Sequence, residues 1–397
     1  MAVKRLILVM PGMILLASCG SSATSGNDGG GGKAGAGGRS GLGGVSGSSG
    51  GGGPAGGAGG GGGHAAVSGT GGGGAAGGAA GSSSDGGACT TPLALLPTAI
   101  YAMLDQSSSM SDSLAGGQAT RWTAVGSGIE GFLAQPGSAS FGLQYFGLAQ
   151  SCPLTCNVDA DCGGCGPCQT GFCLGGGDSC APADYATPNV EIGPVQSVAT
   201  NVMASLATHS PDTGSPTSAA LQGAVDHAGT YAGAHAEADV VALLITDGDP
   251  DECDVNAGDI NTIASTALDG AERIRTAVIS LGASQPFVDG IAQAGGTGSA
   301  AAPTTASAIS AAITAVATGR CALPIPANGD PTTLRLQTDD QGTIAPLGNV
   351  ASAAACNGAP GFYVDSVTAP RRILLCPASC TALRSSATLT IEALTCP

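Results

Sequence analysis

The sequence predicts an α/β fold in which a doubly wound, Rossmann-like and mostly parallel sheet is flanked by helices. Several apolar runs do not alternate with polar residues, which is typical of strands buried on both faces. Helix-like stretches separate these runs, and such alternation favours a parallel sheet. A cysteine-rich, disulfide-bonded insert and a small β-rich C-terminal extension are predicted to complete the folded part.

The elements follow one another in a regular order. The predicted strands cover residues 97–104, 141–146, 238–246 and 276–281. The predicted helices cover residues 122–134, 198–207, 217–232, 261–274 and 305–318. Ligands of such sheets bind at the carboxyl ends of the strands. Asp105 and Asp247 directly follow two of these strands, so we expect a binding site there.

The N-terminus has the features of a lipoprotein signal peptide, assigned to residues 1–18. An apolar run at 6–16 is too short to span a bilayer but is typical of a signal peptide. Leu16-Ala17-Ser18-Cys19 then resembles the bacterial lipobox, which implies lipidation of Cys19 and attachment to a membrane. Gly20 in place of Asp implies the outer membrane in a Gram-negative organism. The alternative is ordinary cleavage near Ala17.

Residues 19–88 are predicted to be a disordered linker behind this anchor. Residues 20–88 contain 34 glycines and have almost no apolar area to bury. Burial therefore cannot offset the conformational entropy that would be lost on ordering them. A coil of this length reaches about 45 Å. The linker can therefore act as a tether, although unselected low-complexity sequence would look the same.

The charge and the motifs exclude several classes of function. From Cys89 onward the chain has 8 arginines, no lysine and 26 acidic residues, so it would repel nucleic acid. No HExxH or Walker A sequence is present, and no GxSxG elbow occurs beyond chance. We therefore expect a binding protein of the cell envelope and not an enzyme.

A possible metal site follows the first long strand, where Asp105, Ser107 and Ser109 form a DxSxS pattern. Carboxylate and hydroxyl oxygens suit Mg²⁺, or Mn²⁺ or Ca²⁺, better than Zn²⁺. The pattern alone has low specificity, because serine and aspartate also cap helices. A plain turn is therefore the alternative interpretation.

The order of three segments resembles the von Willebrand factor A domain over residues 95–320. DxSxS is followed by Gly214-Ser215-Pro216-Thr217 at a helix start and by Ile245-Thr246-Asp247-Gly248 at a strand end. The resemblance implies a metal-ion-dependent adhesion site formed by Asp105, Ser107, Ser109, Asp247 and one more hydroxyl. Family spacing favours Ser215 for that hydroxyl, and Thr217 is the alternative.

In that family such an ion keeps one coordination position open, so the resemblance implies a protein ligand with an exposed acidic residue. The expected function is ligand binding at the cell surface through this site. The alternative is a structural or substrate-capture subunit of an envelope complex with a weak or degenerate metal site. Asp249, Asp251, Glu252 and Asp254 form either an outer layer of the site or, more simply, a solvated acidic loop.

The number of cysteines predicts a disulfide-bonded protein in an oxidising compartment. Once Cys19 is lipidated, the candidates for disulfides are Cys89, Cys152, Cys156, Cys162, Cys165, Cys168, Cys173, Cys180, Cys253, Cys321, Cys356, Cys376, Cys380 and Cys396. Half of them lie in an insert at residues 151–184 within the domain predicted for 89–320. The C-x2-C spacings at 162–168 would also fit part of an iron–sulfur or zinc module.

The family topology implies that the insert emerges on the face that carries the metal site. Cys253 follows Asp247 on the same face, so we expect Cys253 to bond to a cysteine of the insert. Residues 321–397 are predicted to form the extension, with short strands at 332–337, 361–365, 372–375 and 387–391. A disulfide clasp involving Cys89 or Cys321 is expected on the opposite face.

Overall fold

The computed structural model describes residues 90–149, 153–162, 167–173, 177–283, 285–327 and 329–394. The predicted signal peptide, Cys19 and the linker lie outside these residues, as do Cys89, Cys152, Cys165 and Cys396. Within the described ranges, no helix is both long and apolar enough to cross a membrane.

A five-stranded sheet forms the centre of the molecule. In spatial order its strands are β6 (Val190–Pro194), β3 (Ser140–Phe146), β2 (Thr98–Asp105), β7 (Asp239–Thr246) and β8 (Arg275–Ser280). The strand β2 pairs in parallel with both β3 and β7, and β7 pairs in parallel with β8. Only β6 runs antiparallel, at the edge beside β3. The carboxyl ends of β2 and β7 therefore lie side by side.

Helices connect these strands. They are α1 (Arg121–Leu133), α2 (Pro182–Tyr185), α3 (Val195–Thr208), α4 (Thr217–Ala234), α5 (Ala257–Asp269), α6 (Gln285–Ala294) and α7 (Ala306–Thr318). The helix α5 begins and ends earlier than the predicted 261–274. The Asn256 side chain accepts a hydrogen bond from the Gly258 N–H at 2.8 Å, and Gly270 follows the last turn. These are favourable residues for the two ends of a helix.

The core lies on both faces of the five-stranded sheet because successive side chains of a strand point in opposite directions. From β2, Ile100 and Leu104 pack in the cluster that includes α1, α3 and α7. Tyr101 and Met103 pack in the cluster that includes α4, α5 and α6. All four side chains are fully buried. This double burial explains why the strand has no alternating polar residues.

A second, seven-stranded sheet contains the extension. In spatial order its strands are β1 (Thr90–Leu93), β14 (Leu389–Leu394), β10 (Arg335–Asp340), β11 (Thr343–Asn349), β12 (Gly361–Val364), β13 (Arg372–Leu375) and β9 (Ala322–Pro324). Only the β11–β12 pair is parallel. The helix α8 (Pro377–Ser385) follows β13. The strand β1 precedes the five-stranded sheet in the chain but pairs with the last strand of the extension.

The prediction of an α/β fold with disulfides is confirmed. A mostly parallel sheet is not confirmed for the whole chain, because the seven-stranded sheet is mixed. The physical reason is the short connections of the extension. Gln341 and Gly342, both with positive φ, turn β10 directly into β11, and a tight turn joins only antiparallel strands.

A buried charge cluster connects the two sheets. The Asp239 carboxylate, at the start of β7, accepts a hydrogen bond from Arg275 Nη2 at 2.8 Å. Arg320 Nε lies 3.7 Å and Arg372 Nε 3.5 Å from the same carboxylate. Arg372 also donates through Nη2 to the Ala238 carbonyl at 3.0 Å. Two disulfides, Cys321–Cys380 and Cys356–Cys376, staple the extension itself.

Candidate functional site

Asp105 is the last residue of β2 and is fully buried. Its Oδ1 accepts the Ser107 N–H at 2.8 Å, and its Oδ2 accepts the Thr246 hydroxyl at 2.7 Å. Burial raises the pKa of Asp105 to about 6, although the hydrogen bonds from Ser107 and Thr246 act in the opposite direction. The carboxylate thus holds the turn after β2 against the end of β7.

Two serines converge on Asp247, the residue after β7. Ser109 Oγ donates to Asp247 Oδ1 at 2.9 Å, and Ser107 Oγ lies 3.3 Å from the same oxygen. The two hydroxyl oxygens are 3.0 Å apart. The short 3-10 helix Ser108–Ser111 turns both side chains toward one point. The structure therefore brings Ser107, Ser109 and Asp247 together as a set of neutral and anionic oxygen donors.

The loop before α4 lies next to this cluster. Ser107 forms an isolated parallel β-bridge with Thr213, and the Ser108 N–H donates to the Thr213 carbonyl at 2.9 Å. The Ser215 hydroxyl faces the turn after Asp247, because a Cβ built on Gly248 would lie 3.9 Å from Ser215 Oγ. Thr217 is fully buried and its hydroxyl lies 3.4 Å from the Ser215 carbonyl. Ser215 is buried as well, so both candidate hydroxyls lie in a buried loop beside the cluster.

Arg121 also contacts this cluster, although no sequence motif pointed to it. Its Nη1 donates to Asp247 Oδ2 at 2.8 Å and to the Ser109 carbonyl at 3.1 Å. Its side chain is only 20% exposed, and it lies against Gly282, where a Cβ would come within 2.8 Å of Arg121 Nη2. Arg121 begins α1, far from Asp247 in the chain, so only the fold reveals this contact. One oxygen of Asp247 therefore already has a cationic partner.

The acidic loop after Asp247 makes specific contacts. Asp251 Oδ1 accepts the Ser215 N–H at 2.7 Å, and Glu252 Oε2 accepts the Asp178 N–H at 2.9 Å. Asp178 Oδ2 in turn accepts the Gly214 N–H at 2.7 Å. Burial, offset by that hydrogen bond and reinforced by neighbouring carboxylates, raises the pKa of Asp178. Asp251 holds the loop of Ser215 directly, and Glu252 does so through Asp178. These two residues are therefore not simply part of a solvated acidic loop.

The insert is attached to this loop through Cys180, which forms a disulfide with Cys253. That is the kind of pairing that the family topology implied. Inside the insert, Cys156 bonds to Cys168 and Cys162 bonds to Cys173, around the short hairpin of β4 (Cys168–Gln169) and β5 (Phe172–Cys173). The sulfurs of Cys156, Cys162 and Cys173 lie within 4.8 Å of one another. As disulfide sulfurs they are not thiolate ligands, so an iron–sulfur or zinc site at these cysteines is not supported.

Comparison with known proteins leaves the family open. No family model and no curated protein sequence matches this chain. Several solved structures resemble it in part. An aerotolerance-related membrane protein from Bacteroides fragilis is 14% identical, with 54% of this chain and 96% of that chain covered and a TM-score of 0.36.

Two others are similar to a comparable degree. For a von Willebrand factor type A protein from Catenulispora acidiphila the identity is 13%, the coverage 77% of this chain and 59% of that chain, and the TM-score 0.37. The pilus adhesin SpaC from Lactobacillus rhamnosus GG is 11% identical, with 76% of this chain and 39% of that chain covered and a TM-score of 0.38. Similarity of this degree does not define a family for the chain.

Proposed function

We propose that residues 95–320 form a von Willebrand factor A-type domain that binds protein ligands through a divalent-metal site. The expected start at residue 89 is too early, because Thr90–Leu93 pairs with the extension. The observation that supports this best is the convergence of Ser107 and Ser109 on Asp247 Oδ1, at 3.3 and 2.9 Å. These oxygens come from two loops at neighbouring strand ends, where ligands of such sheets bind. A turn that merely capped a helix would not require Asp247.

The donor set fits a hard cation such as Mg²⁺, Mn²⁺ or Ca²⁺, because every candidate ligand offers oxygen. Ser107 and Ser109 would hold the ion through their hydroxyls, with Ser215 as the third. Asp105 and Asp247 would act through water. When bound, the ion would offer a coordination position to an acidic side chain of the partner. Neutral hydroxyl ligands would leave most of its charge available for that carboxylate.

A lipid anchor would hold this domain at the cell surface. Cys19 would carry the lipid anchor, and residues 20–88 would lift the domain away from the membrane. Gly20 after the lipidated cysteine supports the outer membrane in a Gram-negative organism. Mass spectrometry of the mature N-terminus tests this part: an acylated Cys19 is expected, and an unmodified terminus near residue 18 would contradict it.

A second candidate function is a structural or substrate-capture subunit whose metal site is weak. The observation that favours it is the Arg121–Asp247 ion pair, with Arg121 Nη1 2.8 Å from Asp247 Oδ2. A guanidinium on this carboxylate repels a metal ion that shares it. The two candidates therefore differ in metal affinity, which can be measured directly.

Calorimetric titration of the full chain with Mg²⁺, after removal of bound metal by a chelator, tests the proposed site. We expect saturable binding, weakened about 10- to 100-fold by Asp247→Asn, since ligands and their supporting residues have effects of this size. The matched control is Asp226→Asn, which changes an exposed carboxylate on α4. Equal Mg²⁺ binding by both variants would exclude the site. Ligand binding that persists in chelator would exclude the metal-dependent mechanism.

Arg121→Gln is expected to raise the affinity for Mg²⁺ about tenfold. A unit charge and a doubly charged ion a few ångströms apart repel by about 1–2 kcal/mol even in water. Arg121→Lys keeps the charge and should leave the affinity near that of the unmodified protein. A lower affinity in Arg121→Gln would instead show that Arg121 mainly positions Asp247.

A further inference from the structure

A cavity of about 720 Å³ lies between the end of α7, the strand β8 and the extension. It is at the opposite end of the five-stranded sheet from Asp247, since its wall includes Arg275 at the start of β8. Its volume is in the range of small-molecule sites, about 300–1,000 Å³. The proposed metal site does not involve it.

The charges around this cavity are unusual for so acidic a protein. Three of the 8 arginines that follow Cys89, namely Arg275, Arg320 and Arg384, line it. No aspartate or glutamate is among the described residues of its wall. The lining is therefore positive while the chain as a whole carries a net charge of −16.

The arginines are not neutralised by their protein partners. Asp239 is a single carboxylate, and Arg275, Arg320 and Arg372 all lie against it. The nearby Glu272 is paired with Arg371 and is not part of the cavity wall. Asp365 also acts electrostatically on Arg372. Three arginines thus face two carboxylates, and the cluster keeps an excess positive charge, which is costly to bury without a counter-ion.

Several guanidinium donors at the cavity also lack partners. Arg275 is only 8% exposed, and its Nε is buried without a hydrogen-bond partner among the described residues. The same holds for Nε and Nη2 of Arg320, and Oδ1 of the neighbouring Asp239 is likewise buried without a hydrogen-bond partner among the described residues. Arg384, which is exposed, donates to the Cys321 sulfur at 3.2 Å and to the Arg320 carbonyl at 3.2 Å. Buried unpaired donors are rare in proteins, and oxyanions are their best acceptors.

We propose that this cavity binds a small organic oxyanion, with Arg275, Arg320 and Arg384 as its recognition residues. Carboxylate and phosphate groups share the required chemistry, since each presents several oxygens to the planar guanidinium groups. Tyr363, which also lines the cavity, offers a hydroxyl at its extension side. Because residues of both sheets line the cavity, a ligand there would contact both.

Calorimetric titration of the full chain with succinate and with inorganic phosphate, in chelator and at constant ionic strength, tests this site. We expect a Kd below about 1 mM for at least one of these probes, which is a binding free energy of about −4 kcal/mol or better. Binding of succinate alone would identify a carboxylate ligand, and binding of phosphate alone a phosphate ligand. The chelator makes the result independent of the metal site.

Arg384→Gln and Arg320→Gln should each weaken that binding at least tenfold. Arg384 makes no contact with Asp239, so its replacement leaves the buried ion pairs in place. Arg335→Gln is the matched control, because Arg335 is exposed on β10 and does not line the cavity. Circular dichroism confirms that each variant is folded. Absence of binding by both probes, or equal weakening by Arg335→Gln, would overturn the proposal.

Discussion

Asp239→Asn is expected to lower the free energy of unfolding by about 3–5 kcal/mol, the usual cost of removing one partner from a buried ion pair. Asp239 is 1% exposed and is the carboxylate against which Arg275, Arg320 and Arg372 lie. Asparagine keeps the shape but removes the charge, so the guanidinium groups would remain buried without compensation. Urea unfolding followed by circular dichroism measures the loss.

The same change should alter the pH dependence of stability. Burial alone would raise the pKa of Asp239, but Arg275, Arg320 and Arg372 together hold it below its ordinary value. A depressed pKa means that the carboxylate stabilises the fold above its unfolded pKa, near 4. That contribution is lost as the pH falls below 4, through the folded pKa. Asp239→Asn should therefore flatten this part of the profile.

Asp226→Asn provides the control for both measurements, since Asp226 is exposed on α4. We expect a change within about 0.5 kcal/mol there. If Asp239→Asn cost no more than Asp226→Asn, the buried cluster would not stabilise the contact between the two sheets.

Removal of the Cys180–Cys253 disulfide is also expected to lower the free energy of unfolding by a large amount. Its cysteines are separated by 73 residues, and constraining a loop of that length stabilises a protein by about 4 kcal/mol in the chain-entropy description. The crosslink also fixes the acidic loop whose Asp251 accepts the Ser215 N–H. Replacement of both cysteines by alanine should therefore lower stability and also weaken Mg²⁺ binding.

Removal of the Cys156–Cys168 disulfide is the matched control. This disulfide closes only 12 residues inside the insert. Its loss should cost less in urea unfolding, because shorter loops gain less from closure. It should also leave Mg²⁺ binding unchanged. An equal effect of the two replacements on Mg²⁺ binding would show that the Cys180–Cys253 link has no special role at the site.

Sequence patterns predicted the central strands because burial on both faces leaves a direct mark, an unbroken apolar run such as that of β7. They also pointed to Asp105 and Asp247, since these residues end such runs. The pattern was weaker in the extension. The strand β11 contains Pro346 and is largely exposed, so no apolar period marks it. The short helix α6 contains Pro286 and Gly290, both poor helix formers, and was missed as well.

The contacts of the arginines could not be predicted for another reason. Arg121 reaches Asp247, and Arg275, Arg320 and Arg372 reach Asp239, only after distant segments have packed together. Charge pairing of this kind has no local period or spacing in the sequence. A count of arginines showed that they are few, but only the fold shows that four of them cluster at two carboxylates.

The pairing of Thr90–Leu93 with Leu389–Leu394 has a consequence for the order of folding. The strand β1 is synthesised long before its partner β14. The strands of the five-stranded sheet pair across shorter stretches of chain and can assemble earlier, because local contacts close at lower entropic cost. The seven-stranded sheet can be completed only when synthesis is nearly finished. Until then β1 lacks the strand it pairs with, and a chain stalled before residue 389 would expose both sides of β1 to other unfinished chains.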